Sequence, residues 1–249
     1  MRLASNFALL TAAATALSAC GGNDVADALN IGAPRARLVN AIPGGPDLQL
    51  YRNDNLQSDA GTLAYEQASK YVDTVTATST WSLRDAASGL QVGSTSMRVA
   101  GSTRYTLVAF AGAGTQADML QISDRYDFDL GADKARVRVV NGSSNSGAFD
   151  LYLTAVGADL ASATPVMSDV AYEDASPASG SDSYTFGYGT YELRITAAGT
   201  KTVLFDGTLT ARIDDDLLLV TLPKSSAAGD IEVLEIPSAT DQADTVIPG

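Results

Sequence analysis

The chain has 249 residues, with 16 basic and 29 acidic side chains, a formal net charge of −13 and no histidine. An acidic surface repels phosphate backbones, which disfavours nucleic acid as a partner; the missing imidazole excludes Ser-His-Asp and Cys-His machinery and His-bearing metal sites. A hydrophobic fraction of 45% with 18% charged residues marks a globular chain, and the length suits two domains of about 100 residues.

The first element in chain order is an export signal. Met1 and Arg2 give a positive start, and Phe7 to Leu17 is apolar and uncharged. The uncharged run from Leu3 to Ala19 falls short of the roughly 20 residues a membrane-spanning helix needs. It closes on Leu17-Ser18-Ala19-Cys20, which resembles the lipobox of bacterial lipoproteins. That resemblance implies cleavage before Cys20, a diacylglyceryl group on its thiol and an acylated new amino terminus. Several acyl chains give stable membrane attachment where one does not. Gly21, where inner-membrane lipoproteins carry Asp, implies the outer membrane, on its periplasmic or surface face. Residues 1–19 are therefore expected to be a lipoprotein signal peptide and 20–33 a flexible tether.

The remainder repeats itself. Arg35-Ala36-Arg37-Leu38-Val39-Asn40 matches Arg136-Val137-Arg138-Val139-Val140-Asn141. Leu48-Gln49-Leu50-Tyr51 is related to Phe149-Asp150-Leu151-Tyr152, and Ala64-Tyr65-Glu66-Gln67-Ala68-Ser69 to Ala171-Tyr172-Glu173-Asp174-Ala175-Ser176. Trp81-Ser82-Leu83-Arg84 pairs with Tyr191-Glu192-Leu193-Arg194, and Tyr105-Thr106-Leu107-Val108 with Leu217-Leu218-Leu219-Val220. Ala36 and Leu38 alternate with Arg35 and Arg37, and Trp81 and Leu83 with polar neighbours, the period-two pattern of a strand with one apolar and one wet face. Turn residues separate the blocks, as in Pro43-Gly44-Gly45-Pro46 and Asp214-Asp215-Asp216. The expected fold is all-β, with two tandem immunoglobulin-like or transthyretin-like sandwiches at 34–125 and 134–237. A linker at 126–133 joins them, and 238–249 is expected to be a polar tail.

A strand ending Val-Asn, a Pro/Gly-rich turn and an Asp-Leu-Tyr-like strand resemble the bacterial domain-of-unknown-function 4397 family. The later Ala-Tyr-Glu-x-Ala-Ser and Tyr-Glu-Leu-Arg-x-x-x-Ala-Gly stretches are similar to its second half. The resemblance covers both repeats and implies an exported β-sandwich module, often in lipoproteins, with no established catalytic residues and no cofactor.

Several clusters invite a chemical reading. Asp124, Asp127, Asp129 and Asp133 crowd the junction, where calcium could stiffen two sandwiches into a rod; the alternative is a charged linker that holds the domains apart. Asp214-Asp215-Asp216 reads as a solvated hairpin tip. Glu66 and Glu173 recur at equivalent positions and would serve a carboxylate-dependent hydrolase of envelope glycans if they shared a cleft; a repeated structural turn explains them better. Arg35, Arg37, Arg136 and Arg138 form either a basic strip for acidic glycans or the polar face of a strand paired with neighbouring acids. Trp81, Tyr51 and Tyr152 are candidates for stacking on sugars or for packing. The loop from Ser176 to Ser183 is expected to be mobile. Together these point to a non-enzymatic envelope protein, anchored in the membrane at Cys20, with an envelope protein or polysaccharide as partner.

Overall fold

The computed structural model describes residues 32–125, 130–239 and 242–249. The chain is all-β, and none of the described helices is long and apolar enough to cross a membrane. The first module holds β1 (Arg35–Asn40), β2 (Leu48–Arg52), β3 (Asn55–Leu56), β4 (Thr62–Leu63), β5 (Gln67–Ala68), β6 (Val72–Asp73), β7 (Thr78–Asp85), β8 (Gln91–Arg98), β9 (Thr103–Ala111) and β10 (Ala117–Arg125). The second holds β11 (Lys134–Asn141), β12 (Phe149–Thr154), β13 (Met167–Val170), β14 (Ala175–Ser176), β15 (Tyr184–Gly187), β16 (Gly189–Ala197), β17 (Val203–Ala211), β18 (Asp216–Pro223), β19 (Ile231–Pro237) and β20 (Thr245–Ile247).

Strand pairing recurs between the modules. In the first, β10-β9-β1-β5 forms one sheet, with β6 also on β1, and β3-β2-β7-β8 the other. In the second, β19-β18-β11-β14 repeats the first sheet, with β15 also on β11, and β13-β12-β16-β17 repeats the second. The opening strand of each module lies parallel to a late one, β1 to β9 and β11 to β18, pairing Arg35 with Arg104 and Arg136 with Asp216. Between the sheets of the first module pack Leu38, Leu48, Leu50, Trp81, Leu83 and Leu107; between those of the second pack Val137, Val139, Phe149, Leu151, Ile195 and Leu219.

The expected wet face of these strands is not wet. A third apolar core lies between the modules, formed by Val39, Val108, Phe110 and Ile122 from one side and Val140, Leu218, Val220, Leu222, Leu234 and Ile236 from the other. The β9 and β18 sheets are thus buried on both faces, and the described residues form a stack of four sheets enclosing three cores. The junction does not hold the domains apart. Burying aliphatic side chains contributes roughly 1.5–3 kcal/mol each, which outweighs diffuse repulsion between two acidic modules.

The contact is pseudo-symmetric. Arg104 and Asp216 hold equivalent places in their modules, each opposite the start of the first strand, and they meet across the seam. Gly142, just beyond β11, sits under Phe110 of the first module: a Cβ there would stand 3.3 Å from the Phe110 ring and 2.6 Å from the Thr221 carbonyl oxygen. With Arg104 beside Asp216 at one end and Phe110 beside Gly142 at the other, β9 and β18 run in the same direction. Both modules therefore aim their corresponding loops the same way.

The tail departs from expectation. β20 pairs with β19, and Ile247 is buried in the second core. The two modules close the gap between their sheets differently. In the first, a Cβ on Gly93 would lie 2.9 Å from the Ala117 carbonyl oxygen; in the second, the equivalent Gly207 meets Pro248 at 2.7 Å. The tail takes the place that the first module closes by direct strand approach.

Candidate functional site

Most of the charged groups singled out in the sequence converge on the seam. Asp216 accepts hydrogen bonds from Arg104 of the other module and, at 2.7 Å, from Arg136 of its own. Arg136 also donates to the Arg125 carbonyl, 3.3 Å away. Burial alone would push the Asp216 carboxyl up; the two guanidinium groups outweigh it and hold the group below the usual carboxylate range. Arg37 donates to Thr106 Oγ1 at 3.0 Å and to the Pro237 carbonyl of the other module at 3.2 Å. Its guanidinium lies 4.6 Å from the centre of the Tyr71 ring, and Arg104 approaches the same ring at 5.7 Å.

Arg138 is the most enclosed of the set. It donates to the Ala178 and Ser181 carbonyls at 2.7 and 2.6 Å, to the Pro177 carbonyl, and to Asp124 Oδ1 at 2.5 Å. The loop expected to be mobile is docked: the Ser123 amide donates to Ser179 Oγ and the Gly180 amide to the Ser123 carbonyl, each at 3.0 Å. Arg37, Arg136 and Arg138 are thus buried connectors, while Arg35 pairs with Asp73 at 3.0 Å on an exposed edge.

Glu66 and Glu173 occupy equivalent turns at φ 67° and 65°. Each faces an acid from the other module. Glu66 shares a hydrogen bond with Glu232, whose carboxyl is pushed up to about 7 by burial and by Glu66. Glu173 is raised by burial and by Asp118. Asp118 and Glu232 are themselves equivalent, opposite Phe110 and Leu222. The adjoining tyrosines also cross over: the Tyr65 hydroxyl donates to the Pro223 carbonyl at 3.2 Å, and the Tyr172 ring packs 5.9 Å from Phe110. The two glutamates do not share a cleft; each turn stitches its module to the other.

The remaining candidates are placed as follows. Cys20, Asp127 and Asp129 lie outside the described residues. Asp124 has Arg138 as its partner, and Asp133 occupies a turn at φ 60°. Among the described residues no group of three or more His, Cys, Asp or Glu side chains is arranged to hold a metal ion. Asp215 is not at a solvated tip: its carboxylate accepts from the Arg212 amide at 2.7 Å and from Gln242 Nε2 at 3.0 Å. Trp81 and Tyr152 are buried, and Tyr51 lies under Arg84 at 4.2 Å, so these rings pack against the protein itself. Beside the seam a groove of about 540 Å³ is lined by Arg35, Gln57, Ser58, Tyr71, Arg104 and Ser238, among others. Sequence reasoning missed Tyr71, Asp118 and Glu232, whose partners come from distant parts of the chain.

The family described as Domain of unknown function (DUF4397) matches residues 34–152 as one copy. No curated protein matches the chain. Among solved structures the chain is similar to the product complex of a multi-modular glycogen-degrading pneumococcal virulence factor SpuA, at 11% identity and a TM-score of 0.24. That alignment covers 84% of this chain and 27% of the other, and so loose a likeness carries no argument about activity.

Proposed function

We propose that this chain is a lipid-anchored cell-envelope protein, held outward from the outer membrane on the tether 20–33, with a non-enzymatic structural, adhesion or binding role. Its body is two tandem copies of the DUF4397 module, the second diverged beyond the residues that the family matches. The repeated strand order supports the second copy. The observation that carries the reading is the seam: Arg37, Arg104, Arg136, Arg138, Asp124 and Asp216 are engaged in joining the modules. A body stiffened in this way suits presentation of a surface. The tether enters at Gly32, whose carbonyl accepts from the Ser102 amide at 3.0 Å. The loops after β1, β7 and β9 lie at the opposite end of the strands and would point away from the membrane.

Fractionation of envelopes tests the anchor. Wild-type protein is expected in the outer-membrane fraction, released by detergent and not by aqueous buffer, while Cys20→Ala is expected in the soluble fraction. Identical fractionation of the two would refute lipidation. Crosslinking in native envelopes then identifies what the body holds.

A further inference from the structure

The two modules differ at the loop end opposite the tether. In the first, a cleft of about 670 Å³ opens between the 42–46 loop and the hairpins around Ser88 and Thr115. Its walls include Ile42, Pro43, Pro46, Leu90 and Val92. Its charged lining residue, Asp85, already accepts from the Ala87 amide at 2.8 Å and the Ser88 hydroxyl at 2.6 Å. Gln91, Thr115 and Gln116 supply neutral polar groups. The size falls within the range of small-ligand sites.

The second module shows what fills this place. Its first loop closes a turn of the same length, since Ser146 donates to the Ser143 carbonyl as Gly45 does to Ile42, which aligns Asn145 with Gly44, although only Gly44 takes a left-handed φ. Asn145 Nδ2 bridges to the last hairpin, 3.0, 2.7 and 3.1 Å from the carbonyls of Ser225, Ala227 and Asp230. Strand pairing aligns Leu83 with Leu193 opposite Gly93 and Gly207, and beyond them each strand bulges at a different place, at Val92 in the first module and at Leu204 in the second. Leu204 packs on the second core, 3.0 Å from where a Cβ on Gly229 would stand. Leu90 is 69% exposed. A leucine side chain and a carboxamide thus meet the last hairpin of the second module; in the first, the smaller Val92 stands at the bulge, Leu90 points outward and Gly44 has no side chain.

We infer that the first module binds a short, uncharged, peptide-like ligand in this cleft, its aliphatic side chain against Ile42 and Val92 and its amide N–H groups toward the hairpin carbonyls. The inference rests on the reading of the chain as a binding protein. The lining has no aromatic ring on which a sugar could stack and no unengaged charge for an ionic ligand.

The test is methyl NMR of the full chain titrated with N-acetyl-leucinamide, a probe whose size implies millimolar affinity. Saturable shifts are expected at the Ile42, Leu90 and Val92 methyls, with N-acetylglycinamide at least about tenfold weaker, the discrimination of one buried aliphatic side chain. Gly44→Asn places a carboxamide beside the cleft, with open space around its Cβ and at a φ of +66° that asparagine tolerates better than most side chains. This variant should remain folded by far-UV circular dichroism, with some loss of stability from the left-handed backbone, and weaken probe binding at least about tenfold, a loss of about 1.4 kcal/mol. No saturable shift at these methyls, or equal response to both probes, would overturn the inference. Fractionation of Cys20→Ala is independent of this titration, so the anchored reading stands or falls separately.

Discussion

Replacing Asp216 with Asn removes one charge and almost no volume, yet it should unsettle both modules. Asp216 lies in β18, and its carboxylate is shared between Arg136 of the same module and Arg104 of the other. The three side chains are 17%, 7% and 11% exposed, so solvent screens them little. Removing one partner of a buried pair costs about 3–5 kcal/mol; because the amide oxygen still accepts a hydrogen bond, the low end applies. A loss of about 3 kcal/mol divided by a urea m-value of about 3 kcal/mol/M lowers the unfolding midpoint by about 1 M. Trp81 is the chain's single tryptophan and is fully buried in the first module's core. Its fluorescence reports a module that does not contain the substitution. If the seam couples the modules, the Trp81 transition moves with the far-UV circular dichroism transition. If the dichroism midpoint falls while Trp81 unfolds where it does in the wild type, the seam does not couple the modules.

Three further outcomes concern Glu232 and Asp216 at the seam and Ile247 in the second core. Glu232 titrates near 4.5 when unfolded and about 7 when folded, so between those values the folded chain binds more protons and stability declines as pH rises. Urea midpoints measured from pH 4.5 to 8 should show this fall, and Glu232→Gln should flatten it; an unchanged slope would remove Glu232 as its source. Asp216 has the opposite sign: its carboxyl is depressed, so its contribution is present above the unfolded value of 3.8 and is lost as pH falls through the folded one. Ile247→Ala opens a cavity in the second core and should cost about 2–5 kcal/mol, seen as a lower melting temperature; a melt matching the wild type would show that β20 does not hold the tail.

The sandwiches were readable because each has one wall with clean alternation. Trp81 and Leu83 point inward with polar neighbours between, and the repeated blocks fixed the strand order. The seam was hidden by the same rule. Leu217-Leu218-Leu219-Val220 and Leu107-Val108-Ala109-Phe110 are continuous apolar runs, the pattern of strands buried on both faces. That signal was present and could have pointed to a third core. The arginines disguised it, since Arg37 and Arg138 beside Leu38 and Val139 look like a solvated edge. Their partners, Pro237 and Asp124, belong to the other module, and no local pattern announces them. Val246-Ile247 is an apolar pair in an otherwise mostly polar tail, too short for any periodicity to reveal that Ile247 is buried.

In this structure three cores make one cooperative body. Native-state amide exchange followed by mass spectrometry tests it most directly, because it reads the opening free energy of each strand. Peptides from β9 and β18 should exchange only with global unfolding, at one shared free energy and with one shared urea dependence. Exchange of β18 at a free energy distinct from β9, or earlier opening of the seam faces than of the two sandwich cores, would contradict it.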